Sequence, residues 1–356
     1  MKPITVLVSA CGAPGTAALL RALRENGERE VRIVGTDMGE LAIGRHLADA
    51  FHRVPAGSDP GFADAMLAIC REGNVDAVLP QSSFDLLGLA EAKDRFDGIA
   101  VLVASPDAIH RSNDKAESYA LLDRIGVRGP AWRRVSGGEA VAAATRELGY
   151  PEVDVCMKPV FSSGSRGFRV LSASADRREQ LLTNRPGVAE ALRLEDLLDL
   201  LGDDPTELLV MELATGTERT IDGIAVEGRI ALGHPKTREA MRAGLAMYFE
   251  TLDDDKLMET AAKIVAELRL DHFFNIQLVG EHVIEINPRI STIVYQEDLN
   301  LPYLGVKHAL GEVSEEELGA LASRIRPTRR ALRFFDQVEW DANSGPRSDP
   351  DRNPGV

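Results

Sequence analysis

The chain has 356 residues, 44% of them hydrophobic and 27% charged, which is enough apolar material for two or three compact lobes. A formal net charge of -15, with no basic stretch to offset it, excludes a surface built to neutralise nucleic-acid phosphates. No run of eighteen apolar residues is present, so no membrane-spanning helix is expected, and Ile4 to Ala10 is too short for the apolar region of a signal peptide. Cys11, Cys70 and Cys156 are odd in number, far apart and without metal-ligand spacing. They read as reduced thiols of a cytoplasmic protein.

In chain order, short apolar runs alternate with helical patterns: Ile4 to Val8, Ala17 to Leu23, Val31 to Val34, Phe62 to Ile69, Ala77 to Leu79, Leu86 to Ala90 and Ala100 to Val103. That order predicts an α/β lobe with a Rossmann-like parallel sheet covered by helices. Cys11-Gly12-Ala13-Pro14-Gly15 resembles a phosphate-binding turn but does not match G-x-G-x-x-G, and reads as a tight strand-to-helix turn near a substrate cleft. Ser105-Pro106 closes this region, and a helix is expected to start at Ser112-Asn113-Asp114-Lys115 and run to Gly126.

A small module follows, with strands at Ala131 to Arg134, Val155 to Val160 and Phe168 to Leu171 and a helix through Val141 to Leu148. Between the last two strands, Phe161 to Gly167 is a Gly/Ser loop too polar for core. Residues 175–205 read as mostly helical and acidic. Strands return at Leu208 to Met211, Thr220 to Val226, Arg229 to Gly233 and Phe273 to Val279, with hairpin turns at Glu227-Gly228 and Gly280-Glu281. The expected division is 1–110, 111–205 and 206–330, then a C-terminal segment 331–356 whose last part, 341–356, lacks apolar periodicity and reads as disordered.

The strongest chemical signal is Asn275-Ile276-Gln277-Leu278-Val279 followed by Val283 to Arg289, where polar and apolar residues alternate on consecutive strands. Alternation puts Glu285, Asn287 and Arg289 on one face, and Gln277 joins them if it pairs opposite Glu285. Hard oxygen donors beside a guanidinium suit a metal-bound triphosphate. Lys158, on an apolar strand before the Gly/Ser loop, is costly to bury unless an anion meets it.

With these motifs the chain resembles the ATP-grasp superfamily, in particular its carbamoyl-phosphate-synthase-like branch with many carboxylate-amine ligases, over residues 1–311. The resemblance implies an N-terminal α/β domain followed by two α+β lobes that clamp ATP. It implies phosphate contacts from Lys115 and Lys158 and from a loop containing Ser163, Gly164, Ser165, Arg166 and Gly167. It implies adenine contacts from Glu212 and the Leu213 backbone, and a ribose contact from Glu218. Gln277, Glu285 and Asn287 are the implied ligands of Mg2+, with Mn2+ as a substitute, while Glu285, Asn287 and Arg289 carry catalysis.

His234, Lys236 and Arg238 alternate along one strand and are expected to project towards a substrate carboxylate. The implied activity joins a small-molecule carboxylate to an amine through an acyl phosphate, on amino-acid or peptide-like substrates, and a homodimer is compatible with it. One grasp unit, rather than two, argues against a carbamoyl phosphate product. Two other readings stay open: a kinase or carboxylase of the same superfamily, and a nucleotide-binding module without turnover.

Overall fold

The computed structural model describes residues 1–161, 166–183, 191–202, 204–242, 245–293 and 299–341. Five parallel strands, β1 (Ile4–Val8), β2 (Val31–Asp37), β3 (Ala50–Arg53), β4 (Ala77–Leu79) and β5 (Ala100–Val101), form a first sheet in the order β3-β2-β1-β4-β5. Between them run α1 (Thr16–Arg24), α2 (Gly44–Leu47), α3 (Phe62–Glu72) and α4 (Ser83–Glu91). Alternation along β1 sends Val6 and Val8 into a core with Leu19, Leu20 and Leu23 of α1, whereas Leu7 packs with Phe62 and Met66 of α3 on the other face. Each such side chain contributes roughly 1.5–3 kcal/mol by leaving water. β3 is a short edge strand with no alternation strong enough to mark it in the sequence.

Two helices follow, α5 (Pro106–Asn113) and α6 (Lys115–Arg124). The first corrects the expectation that Ser105-Pro106 ends the region: the Ser105 side chain accepts from the Ala108 amide at 3.2 Å and Pro106 sits in the first turn, a helix start rather than a stop. The second begins at Lys115, not Ser112, because Asp114 caps it, accepting from Ala116 N at 2.8 Å and Glu117 N at 3.0 Å.

The second sheet holds β6 (Trp132–Ser136), β7 (Val155–Pro159), β8 (Arg169–Leu171), β9 (Ala191–Leu192) and β10 (Glu207–Glu212) in the order β6-β10-β7-β8-β9. Around it are α7 (Gly138–Glu147), α8 (Arg177–Thr183) and α9 (Leu194–Leu201). β10 lies between β6 and β7, so this sheet runs to Glu212, past the boundary expected at 205, because Leu208 and Val210 complete the core of Val141, Val155 and Leu197. β9, a two-residue strand, was hidden in a stretch read as helical.

The third sheet is antiparallel, β12-β11-β14-β15, from β11 (Glu218–Val226), β12 (Arg229–Thr237), β14 (His272–Val279) and β15 (His282–Asn287). β13 (Tyr248–Glu250) pairs with β16 (Arg330–Leu332). Helix α10 (Asp255–Leu268) buries Ala261, Ile264 and Val265 against the sheet. The chain then returns to the first sheet: α11 (Leu301–Ala309) places Leu301, Tyr303 and Val306 in the same core as Val6 and Leu20, and α12 (Glu315–Leu321) follows. The tail expected to be disordered lies, from residue 342 on, outside the described residues. No helix among the described residues is long and apolar enough to cross a membrane.

Candidate active site

A cavity of about 330 Å³ opens between the second and third sheets. One part of its lining is apolar, from Cys156, Phe168, Met211, Leu213 and Val279. Another part is charged, with Lys115, Lys158, Glu218, Arg238, Glu285 and Arg289.

Lys158 reaches this cavity from β7, where it pairs across from Leu209 and is 8% exposed. Its Nζ donates to the Tyr119 hydroxyl at 2.9 Å and lies 3.4 Å from the Ile284 carbonyl, so its direct partners are neutral. Burial, then the neighbouring Lys115, pushes the ammonium down to about 8. Lys115, at the start of α6, sits 4.0 Å from Glu285 Oε1 and is also held below its ordinary range by burial. Lys115 and Lys158 thus both face the cavity beside the Glu285 carboxylate.

Across β14 and β15, Gln277 pairs with Glu285 and Asn275 with Asn287, the register that alternation required. A bulge after Gln277 shifts the next pair to Leu278 and Val283. Gln277 Oε1 accepts from Arg238 Nη1 at 2.5 Å, and Arg238 also pairs with Glu218. Burial raises the Glu218 carboxyl against the lowering effect of Arg238. Arg289 donates from Nε to Ser83 Oγ at 3.0 Å and from Nη2 to Asn287 Oδ1 at 3.4 Å, so it joins the first domain to the cavity floor.

Of the residues expected near a substrate carboxylate, the cavity receives Arg238 alone. Lys236 is fully buried, bound to Asp222 and to the Ile293 carbonyl beneath the Phe249 ring. His234 is 1% exposed, and burial pushes it down to about 4, so it is neutral at physiological pH. Both share the sheet face of Gln277, but neighbouring segments cover that end of the strand, which alternation cannot foresee.

Glu212 and Leu213 line the cavity, while the Glu212 carboxylate accepts from Ala131 N at 3.1 Å. Arg166 lines it too, its guanidinium 5.7 Å from the Phe84 ring centroid. Gly167 has φ 73° and packs so that a Cβ would lie 2.6 Å from Pro159 Cδ, a place for glycine only. Ser163, Gly164 and Ser165 lie outside the described residues.

The glycine turn after β1 is occupied by the chain itself: Gly12 N donates to Asp37 Oδ2 at 2.7 Å, which disfavours a phosphate there. Among the described residues no group of three or more His, Cys, Asp or Glu could hold a metal, so Gln277, Glu285 and Asn287 offer one carboxylate and two amide oxygens. All three cysteines are buried and free, and burial pushes each thiol up to about 12, which disfavours the thiolate.

Sequence reasoning missed Asn275 and the 291–293 segment in the lining, and Tyr119, whose hydroxyl holds Lys158. Asn275 had a signal, lying two residues before Gln277 on the same face; Tyr119 and Thr292 had none.

A fold of this kind, an α/β domain followed by two sheets that enclose a cation-rich cavity, defines a class. Residues 204–329 match the family described as ATP-grasp in the biosynthetic pathway with Ter operon, and residues 6–104 match the PylC-like N-terminal domain. The chain carries an ATP-grasp domain behind a PylC-like N-terminal domain.

It is homologous to the carbamoyl phosphate synthase large chain: the Vibrio cholerae protein is 27% identical over 278 residues, 77% of this chain and 24% of that one. The chain thus spans about a quarter of the length of the curated relatives it matches. The L-amino acid ligase of Bacillus licheniformis superposes with a TM-score of 0.60 at 14% identity, covering 93% of this chain and 78% of that one. The biotin carboxylase domain of Hydrogenobacter thermophilus 2-oxoglutarate carboxylase, solved with MgADP, ADP and bicarbonate, superposes with 0.65 at 15%, covering 93% and 74%. At these identities the likeness is one of fold.

Proposed function

We propose that the chain is an ATP-dependent carboxylate-amine ligase that forms an amide through an acyl phosphate and releases ADP and phosphate, acting on amino-acid or peptide-like substrates. The observation that carries this reading is the pairing of Gln277 with Glu285 and Asn275 with Asn287 at a cavity that also holds Lys115 and Lys158. Lys158 and Lys115 bind phosphate oxygens, and an anion there draws the lowered Lys158 ammonium back towards its ordinary range. Arg289, anchored by Ser83, orients the acceptor and offsets charge on the transferring phosphoryl group. Glu212 and Leu213 border an apolar slot that suits a purine, Glu218 accepts from the ribose, and Arg166 reaches the phosphates. Mg2+ fits the hard oxygens of Gln277, Glu285 and Asn287, and when bound it neutralises phosphoryl charge. Positioning supplies most of the rate enhancement, since no protein nucleophile is needed.

The test is Mg2+-dependent ADP release with paired acids and amines, products weighed by mass spectrometry. An amide equal in amount to ADP is the expected result; ADP release with an acid and no amine favours the kinase or carboxylase reading. Glu285→Gln removes the sole carboxylate of the donor set and is expected to lose at least a hundredfold in turnover, on the order of a deleted electrostatic group, with Gln277→Ala losing less. A folded Glu285→Gln variant with wild-type turnover sinks the reading.

A further inference from the structure

A hydrogen-bonded chain crosses the strands of the third sheet, and charge alone assigns its donors and acceptors. At the buried end Lys236 Nζ donates to Asp222 Oδ2, with both side chains closed off from solvent. A carboxylate facing an ammonium only accepts, and Asn275 lies within hydrogen-bond distance of its Oδ1. Asn275 must therefore turn its NH2 towards Asp222, where Nδ2 also reaches Thr220 Oγ1 at 2.5 Å. Its Oδ1 is left as an acceptor, and takes Gln277 Nε2 at 2.9 Å and Asn287 Nδ2 at 3.3 Å. Both of those amides offer their NH2 groups inward. Their oxygens point the other way, where Arg238 and Arg289 of the cavity lining reach them at 2.5 and 3.4 Å.

We infer that Asp222 is a positioning residue which, through Asn275, sets the orientation of both amides so that Gln277 and Asn287 present oxygen rather than N–H to a cation. The inference rests on the metal-nucleotide reading of this site. An amide turned over would place a donor against a positive charge; Arg238 and Arg289 favour the same orientation from the cavity side, and Asp222, through Asn275, fixes it from the buried side. The strand register makes the device work: Asp222, Asn275 and Asn287 are direct neighbours across β11, β14 and β15, with Gln277 one step along the same face.

The experiment titrates Mg2+ into the full chain with ADP and reads heat, alongside ADP titration in EDTA and thermal melting. Asp222→Asn lets residue 222 offer either atom, so the lock on Asn275 is lost. The Mg2+ concentration at half saturation is expected to rise about 10–100-fold, the range for groups that orient metal ligands, with Mg2+-free ADP affinity unchanged. Because Asp222→Asn leaves Lys236 buried without its partner, Asn275→Leu serves as the second variant; it keeps the ion pair and removes the shared acceptor, with the same expected shift.

Folded variants with the wild-type Mg2+ requirement overturn the inference, as does an equal loss of Mg2+-free ADP affinity, which marks a general packing role. Wild-type protein that binds ADP with no Mg2+ dependence overturns the metal-nucleotide reading and this inference together.

Discussion

Lys158 is a side chain whose burial opposes folding and which, in the proposed function, serves binding. Its folded value of about 8 lies below the ordinary 10.5, so between those pH values the unfolded chain holds a proton that the folded chain has released. Stability therefore rises with pH across that window, and the destabilisation is fully present below about 8. Lys158→Met is expected to melt higher than wild type at neutral pH, by on the order of a few degrees, with the difference closing above 10.5. The same change is expected to weaken ATP binding about 10–150-fold, the equivalent of the ~1.5–3 kcal/mol of a charge-assisted hydrogen bond. In wild type, ATP affinity is expected to fall as pH rises past about 8. Calorimetric titration on both sides of that pH checks the binding, and melting of the apo-proteins checks the stability. A variant that is less stable and binds ATP normally reverses both signs and takes Lys158 out of the site.

The β14–β15 hairpin is held to the rim of the cavity by a contact between glycines. Gly280 has φ 56°, its N donates to the Thr217 carbonyl at 3.0 Å, and a Cβ there would lie 2.4 Å from the Thr215 carbonyl oxygen. Gly216, φ 120°, would meet Gly280 Cα at 3.0 Å. The turn thus sets where Leu213 and Ala214, which line the cavity, stand relative to Gln277 and Glu285. Gly280→Ala imposes a left-handed residue costing about 1–3 kcal/mol and pushes the two segments apart. Lower melting and a several-fold higher KM for ATP are expected, whereas Glu281→Ala at the exposed neighbouring position leaves ATP binding unchanged. Equal ATP kinetics for both variants would show that the rim does not depend on this contact.

Across the whole molecule, the last third of the chain binds the first domain to the grasp. Arg289 meets Ser83, α11 packs beside α1, and Gly15 comes so close to Thr292 that a Cβ would sit 2.7 Å from its carbonyl oxygen. Arg333 clamps this junction, donating to the Pro14 carbonyl at 2.8 Å and to that of Thr292. Arg333→Ala removes a charged donor from two carbonyls and is expected to lower stability by about 1.5–3 kcal/mol, read as a shift in urea midpoint. Because Thr292 lines the cavity, KM for the acceptor is expected to rise while KM for ATP holds. An unchanged midpoint would mean that packing of α11 alone holds the junction.

What was legible in the sequence follows local physics. Period-two alternation placed the β11, β14 and β15 strands and put Gln277, Glu285 and Asn287 on one face, because successive side chains on a strand must point to opposite sides. Lys158 stood out because an isolated charge on an apolar strand demands a partner. Other features had no local cause. Lys236 and His234 share the periodicity of Arg238, but only the packing of Phe249 and the 293 segment closes them in. α11 belongs to the core of the first sheet although some 270 residues separate it from α1, roughly the distance over which no periodic pattern carries information. The amide orientations at Gln277 and Asn287 depend on Asp222 meeting Asn275 across 53 positions of chain, and only strand pairing in three dimensions could bring a carboxylate there.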